Sequence, residues 1–185
     1  MISRNTEPND EPTGSSVDDQ AKANVEFAWK SHSAQENWTS KVDTKASVFF
    51  TVNVAGVVAL VALRTQTDGL LALHGGWRPM LVDIGILACA CALLLAGAAI
   101  FPLLGPASVH KTQHDAIYFG HLRHRKPDDL AKQLTTLTTQ DQVEQLSRQL
   151  IVMSKGNWFK HRLLQLALLV AAAGYGVIFV VVMLT

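Results

Sequence analysis

Residues 118–126 set two aromatic side chains, Tyr118 and Phe119, shortly before three cations, Arg123, Arg125 and Lys126. That combination suits a small anionic nucleotide, because an aromatic face stacks a base and an arginine fork grips a phosphate. Tyr118 and Phe119 are therefore the candidate base-stacking residues, and Arg123, Arg125 and Lys126 the candidate phosphate contacts. Anionic lipid headgroups compete equally for the same cations. The ordinary excess of Lys and Arg on the cytoplasmic side of a membrane would also place them here with no ligand, leaving Tyr118 and Phe119 as core residues.

Four histidines lie in the same region. His110 and His114 are four apart and His121 and His124 three apart, and each spacing can set two imidazoles on one helical face, as a metal needs. No carboxylate or cysteine completes a ligand set, HExxH is missing, and no GxSxG, P-loop or GxGxxG pattern occurs. Neither a metal site, a catalytic residue nor a bound cofactor is expected, and an enzyme is not. One more charged set stands out: Asp43 and the cluster of Lys160, His161 and Arg162 each stand just ahead of an apolar run. At similar membrane depth Asp43 and Lys160 can pair and hold a resting arrangement, as a candidate coupling pair; separate solvation of each charge is the plainer alternative.

The elements that must position these groups are dominated by three apolar runs, residues 46–63, 81–104 and 163–184, each long enough at helical rise to cross most or all of a bilayer. The expected class is an all-α membrane protein: three transmembrane helices with cytoplasmic helical extensions. Backbone within lipid must be helix or closed barrel, so recognition chemistry is confined to the polar parts. The composition agrees, with 49% hydrophobic and 17% charged residues; the net charge of +1 by itself says nothing about nucleic acid, and no nucleic acid polymer is expected as a partner. Cys89 and Cys91, two apart in the second run, fall on different helical faces and read as small apolar residues.

Residues 1–20 are acidic and rich in Pro, Ser, Thr and Asn, with no export signal, and read as a disordered tail. Over residues 21–45 Val25, Ala28, Trp29, His32, Trp38 and Val42 recur near the helical period, predicting an amphipathic cytoplasmic helix that runs straight into the first span. Five Lys and Arg residues precede that span and nine follow the second, whereas the short loop between them carries only two, Arg64 and Arg78. The positive-inside bias then puts the N-terminus and residues 105–162 in the cytoplasm. Trp38, Trp77 and Trp158 fall just outside span ends, as interfacial anchors do. Asn53 interrupts the first run, and tertiary helix contacts are expected to cover it.

Residues 105–162 read as a helical sensor and coupling region. Pro127 opens a short helix with Asp128 and Asp129 in its first turn, at the positive end of the dipole. Residues 136–139 form a break, and Thr139 with Gln142 has capping-box spacing. Val143, Leu146, Leu150, Met153 and Asn157 then follow a three-four alternation that continues toward the third span. Ala88, Ala92 and Ala96 on the second span, Ala55 and Ala59 on the first and the small residues of 171–176 on the third allow backbones to approach closely. Three helices alone enclose no pore and leave much surface to cover, so a homo-oligomer is expected, with packing inside one chain as the simpler explanation.

The run Trp38, Thr39, Ser40, Lys41, Val42, Asp43, Thr44, Lys45, Ala46 leading into a span resembles the "W…aDtKa" approach of the Pycsar transmembrane effectors, the membrane partners of bacterial pyrimidine cyclases. Tyr118, Phe119, Gly120 and His121, then Asp129, Leu130, Leu134 and Thr138, and residues 145–163 with Gln149, Leu150, Ser154 and Lys160 are similar to that family's second half. The resemblance covers nearly everything after the tail. It transfers no binding residue, and where the family has an aromatic after the lysine this chain has His161 after Lys160.

The resemblance implies an antiphage defence effector of the bacterial inner membrane, multi-pass with a cytoplasmic N-terminus. A neighbouring pyrimidine cyclase makes cyclic CMP or cyclic UMP during infection, the effector senses it as its activating ligand, and the spans impair the membrane. The cell then dies before phage are released, which is abortive infection. Membrane lipid, the cyclic nucleotide and the cyclase are the implied partners. The alternative class is a membrane scaffold or accessory subunit that binds no ligand.

Overall fold

The computed structural model describes residues 14–66, 71, 76–101, 116–117 and 122–184, and these contain helices and no strand. Four helices follow in order: α1 (Gly14–Thr65), α2 (Arg78–Ile100), α3 (Pro127–Thr136) and α4 (Thr139–Met183). Three of them, α1, α2 and α4, are long and apolar enough to cross a membrane. The molecule is an all-α, multi-pass membrane protein. Its described residues fall into two units, one drawn from residues 1–34 and 107–151, the other from residues 35–106 and 152–185.

The second unit is a three-helix bundle. On α2 the buried residues are Val82, Gly85, Cys89, Ala92, Ala96 and Ala99, and on α4 they are Leu164, Ala167, Ala171, Gly174, Ile178 and Val181. Both sets step by three and four, the spacing of a coiled-coil seam. The first span joins with Val42, Ala46 and Asn53 buried and Phe49, Gly56 and Leu60 half-buried on the same period. At one end Val42, Ala46, Ala99 and Leu164 form a cluster; at the other Leu71, Val82, Ile178 and Val181 do, flanked by Leu60 and Leu63. The beginning of the first span therefore lies beside the end of the second and the beginning of the third, as an up-down-up bundle requires.

Glycine sets the closest approach. A Cβ on Gly174 would stand 2.7 Å from the Gly85 carbonyl oxygen, and one on Gly85 would stand 2.9 Å from that of Gly174. The obstacle in each case is backbone, which cannot rotate away, so α2 and α4 meet here only because neither residue carries a side chain. Cys89 packs in this seam and Cys91 is exposed, on different faces as their spacing predicts. Ala92 and Ala96 are also in the seam, but Ala55 and Ala59 are exposed. The face of α1 that packs within the chain carries Asn53 and Gly56, and positions 55 and 59 lie off that face.

Helix limits follow local chemistry. Pro79 sits in the first turn of α2, where its missing N–H would have had no partner. Helix α2 ends at Ile100: Phe101 is extended, with φ −61° and ψ 133°, because the residue before a proline, here Pro102, is pushed out of the helical region; residues 102–104 of the expected span lie outside the described residues. Helix α1 starts at Gly14, within the expected tail of residues 1–20. Asp19 with Lys22, and Gln20 hydrogen-bonded to Asn24, support those turns, and extending an existing helix costs far less than nucleating one. Residues 1–13 lie outside the described set.

In the first unit Ala28 and His32 of α1 and Gln145 and Leu146 of α4 are buried. Trp29 meets His32 edge-on at 5.6 Å, and the Lys30 ammonium, 2.7 Å from Glu26, holds that exposed carboxyl below its usual range by hydrogen bond first and charge second. Pro127 opens α3 with Asp128 and Asp129 in the first turn. The cap of α4 differs from expectation by one residue. Thr138 Oγ1 accepts from the Asp141 N–H at 3.2 Å and the Asp141 carboxylate accepts from the Thr138 N–H at 3.0 Å. Asp141, with its shorter side chain, does the reciprocal work that Gln142 was expected to do from Thr139.

Candidate functional site

Within the bundle unit, α1 and α4 are joined by polar contacts ahead of the apolar seam. Asn157 Nδ2 donates to the Gln35 carbonyl at 3.3 Å. The Thr39 hydroxyl lies 2.9 Å from that same carbonyl oxygen and 2.5 Å from Asn157 Oδ1, so its single proton serves one acceptor at a time. One turn on, Lys160 Nζ stands 2.7 and 2.9 Å from the two Asp43 oxygens. Gln35, Thr39 and Asp43 are spaced by four and Asn157 and Lys160 by three, so a row on α1 faces a row on α4. Val42 and Ala46 on one helix and Leu164 on the other continue the contact into the apolar seam.

Asp43 and Lys160, the pair expected from sequence, are thus brought into contact. The Lys160 side chain is 14% exposed and that of Asp43 37%, between the surface case, where such a pair adds little, and the buried case, where losing one partner strands a charge. Beside this row runs an open groove of about 660 Å³ along α1, lined by Glu36, Thr39, Asp43, Ser47 and Val48, with Met153 of α4 on its other side. The hydroxyls of Thr44, Ser47 and Thr51 each donate to the carbonyl four residues back. That internal satisfaction lets Thr51 face outward in the first span.

Two further polar sets lie deeper along the bundle. Asn53, only 2% exposed, donates through Nδ2 to the Cys89 carbonyl at 3.0 Å and accepts at Oδ1 from the Tyr175 hydroxyl at 2.9 Å. One amide ties all three helices together and is covered as its intramembrane position demands. Near the opposite end Arg64 holds Asp83 through Nε at 2.8 Å and Nη2 at 3.4 Å and reaches the Leu71 carbonyl at 3.4 Å. The outer faces are apolar, with Leu94, Leu169 and Val52 among many exposed side chains, as lipid contact requires. Trp38, Trp77 and Trp158 are exposed, and Arg162 lies 5.3 Å over the Trp158 ring.

The expected nucleotide contacts belong to the other unit and do not form one cluster among the described residues. Arg125 is half-buried and its guanidinium donates to the Gln133 side-chain oxygen. Arg123 is exposed and reaches His124 Nε2 at 2.9 Å, and Lys126 is the exposed N-cap residue of α3. Tyr118 and Phe119 lie outside the described residues, as do His110, His114 and His121. Sequence reasoning did not single out Gln35, Thr39 or Gln145. Gln145, 5% exposed, accepts the Ala116 N–H at its Oε1 at 3.0 Å. Asn157 was legible only as the last step of an alternation, and four-residue spacing to Asp43 was the one signal that could have found Gln35 and Thr39.

Three membrane-length helices, a bundle held by small residues and paired polar groups, and a second, more polar helical unit define a multi-pass membrane protein. The model of the Pycsar effector protein domain, PycTM, matches residues 27–185. The chain belongs to the Pycsar effector family, whose members are membrane effectors of Pycsar antiphage defence working with a cyclase and a cyclic nucleotide signal. No curated protein and no solved structure shows a significant match.

Proposed function

We propose that this effector is activated by cyclic CMP or cyclic UMP from an adjacent cyclase and then impairs the bacterial inner membrane, so that the infected cell dies before phage are released. The observation that carries the reading is the family match over residues 27–185, joined to a bundle whose α1 and α4 meet through an ion pair. The nucleotide is an activating ligand and the protein holds no resident cofactor and performs no catalysis. Its N-terminus and the region of residues 105–162 face the cytoplasm, where the signal is made.

The Asp43–Lys160 contact favours the resting arrangement. A ligand shifts the population only by its difference in affinity between resting and active states. Helices α1 and α4 each continue without interruption from residues of the soluble unit into the spans, so a change in their soluble ends has a direct backbone route to the membrane. Homo-oligomers form the active species. Only 11% of the apolar window of α1 is buried within the chain, against 28% for α2 and α4, which leaves α1 the most surface to offer another copy.

Co-expression with an active pyrimidine cyclase, read by a potential-sensitive dye and by growth, tests this. The effector alone is tolerated, and the pair depolarises the membrane and stops growth. An unchanged potential, with the nucleotide measured in the cell and the effector inserted, overturns the reading and leaves a ligand-free scaffold.

A further inference from the structure

Four Lys and Arg residues lie on α4 between residue 145 and the third span, and the structure sorts them into two kinds. Arg148 is 3.4 Å from Glu144 and Lys160 is 2.7 Å from Asp43. Lys155 and Arg162 are exposed and have no carboxylate partner among the described residues. The helix itself supplies none nearby, because residues 145–185 contain no Asp or Glu.

These two cations share a face that is turned away from the bundle. Lys155, Trp158 and Arg162 step by three and four and are all exposed, the spacing of one helical stripe. The same step continues to Gln165 and Leu169, also exposed, so the stripe runs on into the outer surface of the third span. The packing side lies elsewhere: Lys160 is two residues beyond Trp158 and Leu164 two beyond Arg162, more than half a turn round the helix. Those are the positions that meet Asp43 on one hand and Val42, Ala46 and Ala99 on the other. Lys155 and Arg162 therefore emerge where the lipid-facing surface of α4 leaves the apolar layer.

The side chain between them fits that boundary. Trp158 is 67% exposed, and an indole offers an apolar body to acyl chains and an N–H to headgroups. Arg162 Cζ lies 5.3 Å over its ring. A cation–π contact steadies a guanidinium without occupying its N–H donors, and no acceptor among the described residues takes them. They remain as a fork for two phosphate oxygens. Lys155 adds a second charge about 10 Å along the axis, at about 1.5 Å per residue.

We propose that Lys155, Trp158 and Arg162 form a binding site for the headgroup of an anionic phospholipid, with the Arg162 fork on the phosphate and the acyl chains along the outer face of the third span. Helix α4 is then held from both sides, by Asp43 within the chain and by lipid outside it. The site goes beyond nucleotide activation and does not depend on it. It is also distinct from Arg123, Arg125 and Lys126, where Arg125 is engaged by Gln133 and Lys126 is the N-cap residue of α3.

The full chain in detergent micelles is titrated with phosphatidylglycerol and with phosphatidylcholine of matched acyl chains, and bound lipid is resolved by native mass spectrometry. Each cation near a membrane surface is worth about fivefold in affinity, so phosphatidylglycerol is expected to bind roughly twenty-fold more tightly. Lys155→Gln and Arg162→Gln each remove about fivefold of that preference and leave phosphatidylcholine unchanged. Arg162→Lys keeps the charge, loses the fork and recovers part of the affinity. Lys132→Gln, at an exposed position of α3, binds both lipids as wild type does. The substituted positions are exposed, so the variants keep their fold, which the helical circular dichroism signal checks. Equal binding of the two lipids by wild type, or unchanged phosphatidylglycerol binding when both Lys155 and Arg162 are replaced, overturns the site. An equal loss in Lys132→Gln shows an effect of net charge alone and also overturns it. Displacement of bound phosphatidylglycerol by the same concentration of soluble glycerol 3-phosphate makes this a general anion site and overturns the lipid assignment.

Discussion

The bundle and the soluble unit solve the same problem with different materials. In the bundle the buried positions are largely Ala, Gly and Cys, with Asn53 bonded to two other helices and Asp43 paired with Lys160. Among the described residues of the other, more polar unit the buried ones are Ala28, His32, Gln145 and Leu146, and a helix start there is held by end-of-helix chemistry, the Thr138 and Asp141 cap. The difference follows from the solvent. Lipid gives helices no hydrophobic reason to associate, so close backbone approach and satisfied polar contacts must do it, whereas outside lipid a helix end exposed to water is held by caps such as this one.

The strongest way to break that contrast is to spoil backbone approach. Gly174→Ala places a methyl 2.7 Å from the Gly85 oxygen and should cost about 1–3 kcal/mol as an overpacked contact. Gly176→Ala, with nothing within 4 Å of its added Cβ, should be neutral. Unfolding by denaturing detergent in mixed micelles measures both, and equal behaviour of the two variants would mean that small residues do not hold this bundle.

A smaller effect is expected at the polar row. Asp43→Asn and Lys160→Gln should each destabilise by about 1–2 kcal/mol, intermediate between exposed and buried pairs, and the double variant should lose less than their sum. Additivity would show that the two charges act separately despite their 2.7 Å separation. The smallest effect sharpens the soluble side: Thr138→Ala should cost about 1 kcal/mol, the usual value of an N-cap. Amide exchange should rise over the first turn of α4 and remain unchanged in α2; a change in α2 as well would show that the soluble cap governs the bundle.

Long apolar runs made the three spans legible, and the alternation of Val143, Leu146 and Leu150 made a helix running into the third one legible too. Pro102 also explains why α2 ends at Ile100, since it bars the residue before it from the helical region. The small-residue rule correctly picked Ala92 and Ala96 but also picked Ala55 and Ala59, which are exposed. Spacing identifies a face and cannot say whether a neighbour from the same chain covers it.

Sequence alone determined class, span number and family, because each depends on composition and pattern along one strand of chain. It also indicated that Asp43 and Lys160 stand at similar depth, since both directly precede apolar runs. Only tertiary structure decided that they touch and that Asn53 joins Cys89 and Tyr175. Those contacts pair residues as far as 122 positions apart, as from Asn53 to Tyr175. Which rotation of each helix brings them together is set by packing at Gly85 and Gly174, where a single absent Cβ decides how closely two backbones approach.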